Sequence, residues 1–466
     1  MHIANNSLIM GHYYAATADP IEQTHIVNQT GYHSEMAIYP TAQIRADFPI
    51  LATVNAQGQP LAFLDSAASS QKPRQVLETM DAVYRTSYAN VHRGLYPLSV
   101  RATELYDAAR VRVARFINAP APENIVFTRN ATEGMNLIAY SYARTMLRPG
   151  DEILITEMEH HANFVPWWVL ARERGVVLNY IPITETGQLD LTDLDRLITQ
   201  RTRIVSVAQV SNVLGTINDV KLLAAAAHTV GAVMIVDACQ AVPHMPVDVI
   251  DLDCDFLVFS GHKMLGPTAI GVLYGRRELL EHMPPFMTGG DMILSVGMDD
   301  VTWNVVPVKF EAGTPAFVEA IGLAAAIDYL DALGMATIRQ HEVEITQYAL
   351  AQLREFPDLV LLGPDDAELR GGVASFRVAG LHPHDLSDFL GERNVAVRAG
   401  FHCAEPIHRR FGGDPSTRAS FYIYTERWEI DAMLAAMHQA DALFRRKRPV
   451  ASGSTTPISL HQNRPG

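Results

Sequence analysis

At 466 residues, close to half of them apolar, the chain has room for two or three domains, or for one large α/β domain with a smaller companion. A formal net charge of −14 excludes a general nucleic-acid surface, which would be basic, and fits a protein that handles small molecules. Three cysteines, Cys239, Cys254 and Cys403, are too few and too unevenly spaced for a disulfide framework or a zinc site, and no apolar run approaches bilayer-spanning length, so a reducing compartment, the cytoplasm, is expected and a membrane is not.

Residues 1–43 are polar and irregular and lack a compact apolar stretch with a cleavage site; they read as an extension, either flexible or lying over a neighbouring subunit, and not as a signal peptide. Helical spacing follows over 71–88, then a polar loop, Ala89-Asn90-Val91-His92-Arg93-Gly94. From 124 to 275 short apolar strands alternate with helical patterns, the strands falling at 125–128, 152–156, 176–181, 204–208, 233–237, 256–260 and 271–274. Such alternation predicts an α/β fold with a mostly parallel seven-stranded sheet covered by helices on both faces. A long helix over 316–333 leads away from it. Strands at 372–378, 395–398 and 419–424, with helices at 384–392 and 428–446, then predict a smaller C-terminal α+β domain. The division is therefore an extension (1–43), a large domain (44–315), a small domain (316–448) and a Ser, Thr, Pro and Gly-rich disordered tail (449–466), with 44–90 able to join the small domain. Arg445-Arg446-Lys447-Arg448 reads as a basic run closing a helix rather than as a nucleic-acid patch.

Chemistry gathers at the carboxyl ends of these strands. Ser260-Gly261-His262-Lys263 follows the apolar run Phe256-Leu257-Val258-Phe259, which puts a lysine at a buried strand's end beside a histidine and a hydroxyl. Asp237 closes the strand Val233-Met234-Ile235-Val236, and Gln240 follows. A lysine that forms a Schiff base with pyridoxal phosphate, plus an acid facing the pyridinium nitrogen, is the pair this cofactor requires. The lysine must be unprotonated to attack an aldehyde, so it needs a desolvated pocket or neighbouring cations, and a strand end in an α/β sheet supplies such a pocket. Taken alone, the motif also describes a surface lysine after a strand.

Four further segments bear on that choice. Thr128-Arg129-Asn130-Ala131-Thr132-Glu133-Gly134 joins a strand to a helix, where hydroxyls and free backbone N–H groups form either an anion site or an ordinary N-cap. In Glu159-His160-His161-Ala162-Asn163 the two adjacent histidines point in different directions, so they make a poor metal pair; one imidazole can stack on a pyridine ring and move protons while the other is structural, or both are structural. Asn212, in Ser211-Asn212-Val213-Leu214-Gly215-Thr216, is a donor to the cofactor's phenolic oxygen or a turn residue. In Arg398-Ala399-Gly400-Phe401-His402-Cys403-Ala404 a cysteine lies between Arg398 and His402, a route to a lowered thiol pKa, whereas Cys239 and Cys254 fit buried, inert thiols. Arg418 is placed to clamp a carboxylate in bidentate fashion.

Together these segments, with Leu64-Asp65-Ser66-Ala67-Ala68, Asn90-Val91-His92-Arg93-Gly94 and Glu311-Ala312-Gly313-Thr314-Pro315, resemble the class V, fold-type I pyridoxal-phosphate enzymes. They are most similar to the SUF-type, group II cysteine desulfurases, which include selenocysteine lyase activity. The resemblance covers residues 44–442 and implies a fold-type I transferase that forms a homodimer. It implies that Lys263 binds the cofactor, Asp237 pairs with the ring nitrogen and Gln240 hydrogen-bonds the phenolic oxygen with Asn212 nearby. His160 would be the stacked imidazole, Thr132, Ser260 and His262 phosphate ligands, and Thr314 a reach to the other subunit's phosphate. His92, Arg398 and Arg418 would hold substrate, and Cys403 would carry the persulfide.

The implied reaction converts L-cysteine to L-alanine and leaves sulfane sulfur on Cys403 for a SUF-type acceptor in iron–sulfur cluster assembly, with L-selenocysteine as a further substrate. The alternatives are a kynureninase-like hydrolase, an amino-acid epimerase, or a non-catalytic sulfur-transfer scaffold; loss of Lys263 or Asp237 would have marked the last, and both are present. Two positions depart from the family's pattern: Phe401 where it commonly has His, and Thr425 where it commonly has Asn.

Overall fold

The computed structural model describes residues 39–446. Residues 1–38 of the expected extension, the tail from 449, and Lys447 and Arg448 of the basic run lie outside the described residues. Residues 40–446 belong to one compact unit, which holds two large hydrophobic cores and a smaller cluster around Met158, Val213 and Ile407.

The first core surrounds a seven-stranded sheet: β1 (Ile125–Thr128), β2 (Glu152–Thr156), β3 (Val177–Ile181), β4 (Thr202–Ala208), β5 (Val233–Asp237), β6 (Phe256–Ser260) and β7 (Gly271–Gly275). Its spatial order is β1-β7-β6-β5-β4-β2-β3. Only β7 runs antiparallel to its neighbours, β1 and β6; the other pairs are parallel. Every residue of β1, β2, β5, β6 and β7 is buried. Near-continuous runs of Ile, Val, Leu and Phe are what strands covered on both faces require. The register sets Ala208 beside Asp237, and Asp237 beside Val258, so the carboxyl ends of β4, β5 and β6 open on one edge.

Helices α1 (Arg74–Thr86) and α2 (Pro97–Phe116) pack against α5 (Phe317–Leu333); α3 (Ala131–Leu137) and α4 (Val165–Arg174) follow β1 and β2 in the chain. Past α5 the chain turns by 75° at Gly334, whose φ of +80° a glycine accepts without strain, into α6 (Met335–Arg354). No single described helix is long and apolar enough to cross a membrane.

α6 belongs to the second core. It packs against α8 (Arg427–Arg446) and an antiparallel sheet of order β8-β9-β11-β10, made of β8 (Leu359–Leu362), β9 (Val373–Val378), β10 (Arg398–Gly400) and β11 (Ser416–Ser420), with α7 (Pro383–Gly391) beside it. The start of the described chain joins this body. Ala62 and Phe63 pair in parallel with Val395 and Ala396, and Arg45 bridges to the buried Glu429 at 2.9 Å.

Two expected strands differ from the structure. The one over 395–398 divides, 395–396 pairing with residues 62–63 and 398–400 with β11. The one over 419–424 begins earlier and ends at Ser420. The aromatic run Phe421-Tyr422-Ile423-Tyr424 is fully buried but turns, the Tyr422 carbonyl accepting from Thr425 N and the Tyr422 amide donating to Thr425 Oγ1, both at 2.9 Å. Burial between the two cores, rather than a β ladder, explains its apolar pattern. The same bond accounts for Thr425, whose hydroxyl closes the turn. Helices α2 and α6 and strand β8 were not anticipated.

Candidate active site

The carboxyl edge of β4–β6 and the loop after β10 enclose a cleft of about 290 Å³, at the small end of ligand sites. Lys263 ends a 3₁₀ turn directly after β6 and makes no hydrogen bond among the described residues. The carbonyl of His262, one peptide earlier, accepts from Ser70 N (3.1 Å), the Ser69 and Ser70 hydroxyls (both 3.2 Å) and Lys72 Nζ (2.9 Å), which fixes the turn. Burial lowers Lys72 to about 7. Burial and then the charge of Lys263 push the His262 ring down to about 4, so it is neutral near pH 7.

Asp237 is buried at the end of β5, and its Oδ1 accepts from the Cys239 amide at 3.0 Å. Gln240 donates through Nε2 to the Ala67 carbonyl (2.7 Å), and its buried Oε1 has no protein partner. Ser260 Oγ accepts from Ala131 N at 2.9 Å, tying the end of β6 to the start of α3. That approach needs Gly271, opposite Ser260, because a Cβ there would lie 2.5 Å from Asn130 Cα. Thr132 stands in the first turn of α3, exposed on the cleft wall, and the Asn130 side chain caps the turn by accepting from Glu133 N (2.9 Å).

The adjacent histidines divide their work. His160 accepts from Ala162 N through Nδ1 (3.0 Å), which leaves its proton on Nε2; burial, then the charge of Lys263, lower it to about 4. His161 turns to the cysteine loop: its amide donates to the Cys403 carbonyl (2.6 Å) and its Nε2 accepts from Glu405 N (3.1 Å). Beneath them Glu159 takes hydrogen bonds from Thr156, Ala208 N and Asn163, and burial raises it to about 8.

Arg398 and Arg418 are register partners on β10 and β11, so both guanidinium groups reach the same side of the small sheet. Asp65 answers both: Arg398 donates through Nε and Nη2 (3.2 and 2.9 Å) and Arg418 through Nη2 (3.4 Å). Arg418 also donates to the Asn212 carbonyl (3.0 Å), is buried, keeps an unpartnered Nε, and is lowered by burial to about 10, still charged near neutrality. Asp65 was visible in the sequence motif but was given no role there; only the fold brings it between the two arginines. Asn212 Nδ2 donates to the His402 carbonyl (2.7 Å), so this amide holds the cysteine loop.

Cys403 is exposed on the cleft wall. It also borders a second, largely apolar cavity formed with α4. The expectation that His402 supplies charge to it is corrected here. The buried His402 ring is hydrogen-bonded to Ser416 Oγ (3.0 Å), and burial, then Arg418, push it down to about 2, so it is neutral. Arg398 and Arg418 remain as nearby cations. Phe401 sets its ring edge-on to His408, centroids 5.4 Å apart. Burial raises the Cys239 and Cys254 thiols, the latter to about 12, which keeps both protonated.

His92 and Thr314 lie outside this cleft, both exposed. Thr314 sits in the loop begun by Glu311. Its carboxylate takes two bonds from the buried Arg110 guanidinium (2.7 Å each), one from Tyr106 Oη (2.8 Å) and one from Phe127 N (2.7 Å). Glu311→Ala would leave Arg110 buried and unpaired; a loss of about 3–5 kcal/mol is expected by denaturant titration.

The aminotransferase class-V family matches residues 62–433. The chain is 49% identical over 408 residues to a probable cysteine desulfurase of Streptomyces coelicolor, covering 87% of this chain and 98% of that one. It is 48% identical over 406 residues to a cysteine desulfurase of Pectobacterium atrosepticum, covering 87% and 99%. A solved cysteine desulfurase of Escherichia coli, in its S-sulfonic acid form, superposes with a TM-score of 0.80 at 39% identity, covering 88% of this chain and all of that one. One from Thermococcus onnurineus superposes with a TM-score of 0.82 at 38% identity, covering 87% and 98%. The α/β architecture and the sequence agree: the chain belongs to the aminotransferase class-V family.

Proposed function

We infer that this protein is a pyridoxal-phosphate-dependent cysteine desulfurase that converts L-cysteine to L-alanine and holds the released sulfur on Cys403. The observation that carries the reading is an exposed thiol on the wall of the cleft that also contains Lys263 and Asp237. A kynureninase-like hydrolase or an epimerase has no use for a thiol there. The similarity to named cysteine desulfurases supports the same choice.

The residues present fit the cofactor. Gln240 Oε1 and Arg418 Nε are buried polar atoms without protein partners at the cleft wall, the kind of group a polar ligand satisfies. Thr132, Ser260 and His262 would hold the phosphate, Asp237 the ring nitrogen, Gln240 the phenolic oxygen, and His160 the face of the ring. When bound, pyridoxal phosphate supplies the electron sink that makes the substrate's Cα proton acidic.

The chain's own groups then have distinct tasks. Lys263 Nζ would hold the cofactor's aldehyde carbon until substrate displaces it and, once free, would move the proton at substrate Cα. Arg418 and Arg398 orient the substrate carboxylate. The Cys403 thiolate attacks the substrate sulfur: a new S–S bond forms, the Cβ–S bond breaks, and its electron pair is protonated at Cβ, giving alanine and a Cys403 persulfide. His160, with its proton on Nε2, is placed to move protons near that sulfur. Incubation with L-cysteine should yield alanine and a sulfur adduct on Cys403 by peptide mass spectrometry; an adduct confined to Cys239 or Cys254 contradicts the reading.

Asp237→Ala should fold normally and lose on the order of 10²-fold or more in kcat, since the ring nitrogen loses its charge partner. Near-normal turnover would mean another group does this work. In the cofactor-free protein the His160 ring should stay neutral through pH 6 and take up a proton only near pH 4, seen as an imidazole ¹⁵N titration; a midpoint near 6.5 contradicts the burial argument.

We further propose that L-selenocysteine is also a substrate and that the persulfide passes to a SUF-type acceptor for iron–sulfur assembly. The enzyme works as a homodimer in which Thr314 reaches the other subunit's phosphate, since it lies exposed outside its own cleft; His92 would act from the same region. Sedimentation showing an active monomer would overturn this. Three free cysteines fit a reducing compartment, and we place the enzyme in the cytoplasm.

A further inference from the structure

We propose that His161 is a positioning residue for Cys403, holding the thiol-bearing loop in a strained backbone conformation. The proposal rests on the desulfurase reading and assigns work to a side chain that this reading leaves idle.

The loop's backbone is unusual. His402 and Cys403 are consecutive residues with φ of +50° and +56°, both in the left-handed region, and neither is glycine. A side-chain-bearing residue there costs roughly 1–2 kcal/mol, and two in succession persist only when surrounding contacts over-determine them. Those contacts come from the large sheet's loops. Asn212 Nδ2 donates to the carbonyl of His402 (2.7 Å). The His161 amide donates to the carbonyl of Cys403 (2.6 Å). His161 Nε2 accepts from Glu405 N (3.1 Å), the amide that opens the short helix after the loop. The two strained residues are thus pinned by Asn212 and His161, and the exit from the loop by the His161 ring.

The consequence is geometric. Attack on a substrate sulfur needs the thiolate in line with the Cβ–S bond, and displacement by about 1 Å can lower such a rate by about 10²-fold. The side chain of His161 supplies an acceptor that alanine lacks. Glutamine places its Oε1 at nearly the distance from Cβ that Nε2 has in histidine, so it can take over that one bond. Asn212 restrains the neighbouring carbonyl, and replacing both residues should give a non-additive loss, as expected for two groups holding one element.

The test uses the holoenzyme, with wild type, Cys403→Ser, His161→Ala and His161→Gln in parallel. Two quantities are read after rapid mixing with L-cysteine: the change in cofactor absorbance that reports substrate binding, and the first-turnover rate of persulfide formation by quench and mass spectrometry. If wild type forms no alanine and no Cys403 adduct, the desulfurase reading fails, whatever His161 does. With an active wild type, His161→Ala should keep the cofactor absorbance and the binding change, with KM within about threefold, and form persulfide 10- to 100-fold more slowly. His161→Gln should recover most of that rate. The inference is overturned if His161→Ala forms persulfide within twofold of wild type. It is also overturned if His161→Ala loses the cofactor absorbance and His161→Gln does not restore the persulfide rate, because His161 would then serve the cofactor cleft.

Discussion

Lys263→Ala is expected to abolish turnover of L-cysteine, by on the order of 10⁴-fold or more, while the protein still folds and takes up pyridoxal phosphate weakly. Two functions leave with one amine. On the proposed roles, the group that would hold the cofactor's aldehyde carbon is gone, and so is the base at substrate Cα. What remains is noncovalent: Thr132 and the Ser260 hydroxyl at the α3 end of the cleft, and Asp237 at the other side. The fold should be indifferent, because Lys263 makes no hydrogen bond among the described residues and its turn is fixed by four donors on the carbonyl of His262. Equilibrium dialysis should therefore find weakened cofactor binding, and thermal unfolding without cofactor should be unchanged. In wild type, borohydride reduction should fix the cofactor on Lys263 by peptide mapping; an adduct on Lys72, the neighbouring half-buried lysine, would refute the assignment.

Cys403→Ser separates binding from sulfur removal. Lys263, Asp237 and the paired arginines are untouched, so L-cysteine should still bind and alter the cofactor's absorbance. The hydroxyl is a far weaker nucleophile near pH 7 than a thiolate, and no persulfide can form on it. Alanine formation from L-cysteine should fall at least about 10²-fold, and sulfur delivery to an acceptor thiol should stop. L-Selenocysteine should be less affected, because selenium leaves carbon more readily without nucleophilic assistance. Normal sulfur delivery by the serine variant would end the desulfurase mechanism and favour the hydrolase or epimerase alternatives.

Most of the large sheet was legible because its strands are short, mostly apolar and bounded by polar turns. β1, β2, β5 and β6 coincide with their expected bounds. The small body was harder. Its central strand β11 reads Ser416-Thr417-Arg418-Ala419-Ser420, a polar sequence that is nonetheless buried throughout, while the aromatic run beside it looks like a strand and turns instead. Within the site, strand-end position located Lys263, Asp237, Ser260 and His160, since sequence alternation dictates which loops share an edge. Pairwise partnerships were out of reach. Neither Asp65 between two arginines nor Asn212 and His161 on the cysteine loop follows from spacing, because each joins segments more than 150 residues apart. The role given to His402 failed for a local reason: adjacency in sequence says nothing about which way a ring turns, and this one turns to Ser416.

Asp65 also sets a rule of charge balance for what the cleft accepts. Two guanidinium groups facing one carboxylate leave a single formal positive charge. The α-carboxylate of an amino acid oriented by these arginines matches that one charge. A second acid on the side chain would find both guanidinium groups already matched, one by Asp65 and one by the α-carboxylate. This end of the cleft is therefore matched in charge to a single carboxylate, before any contact with the side chain is made.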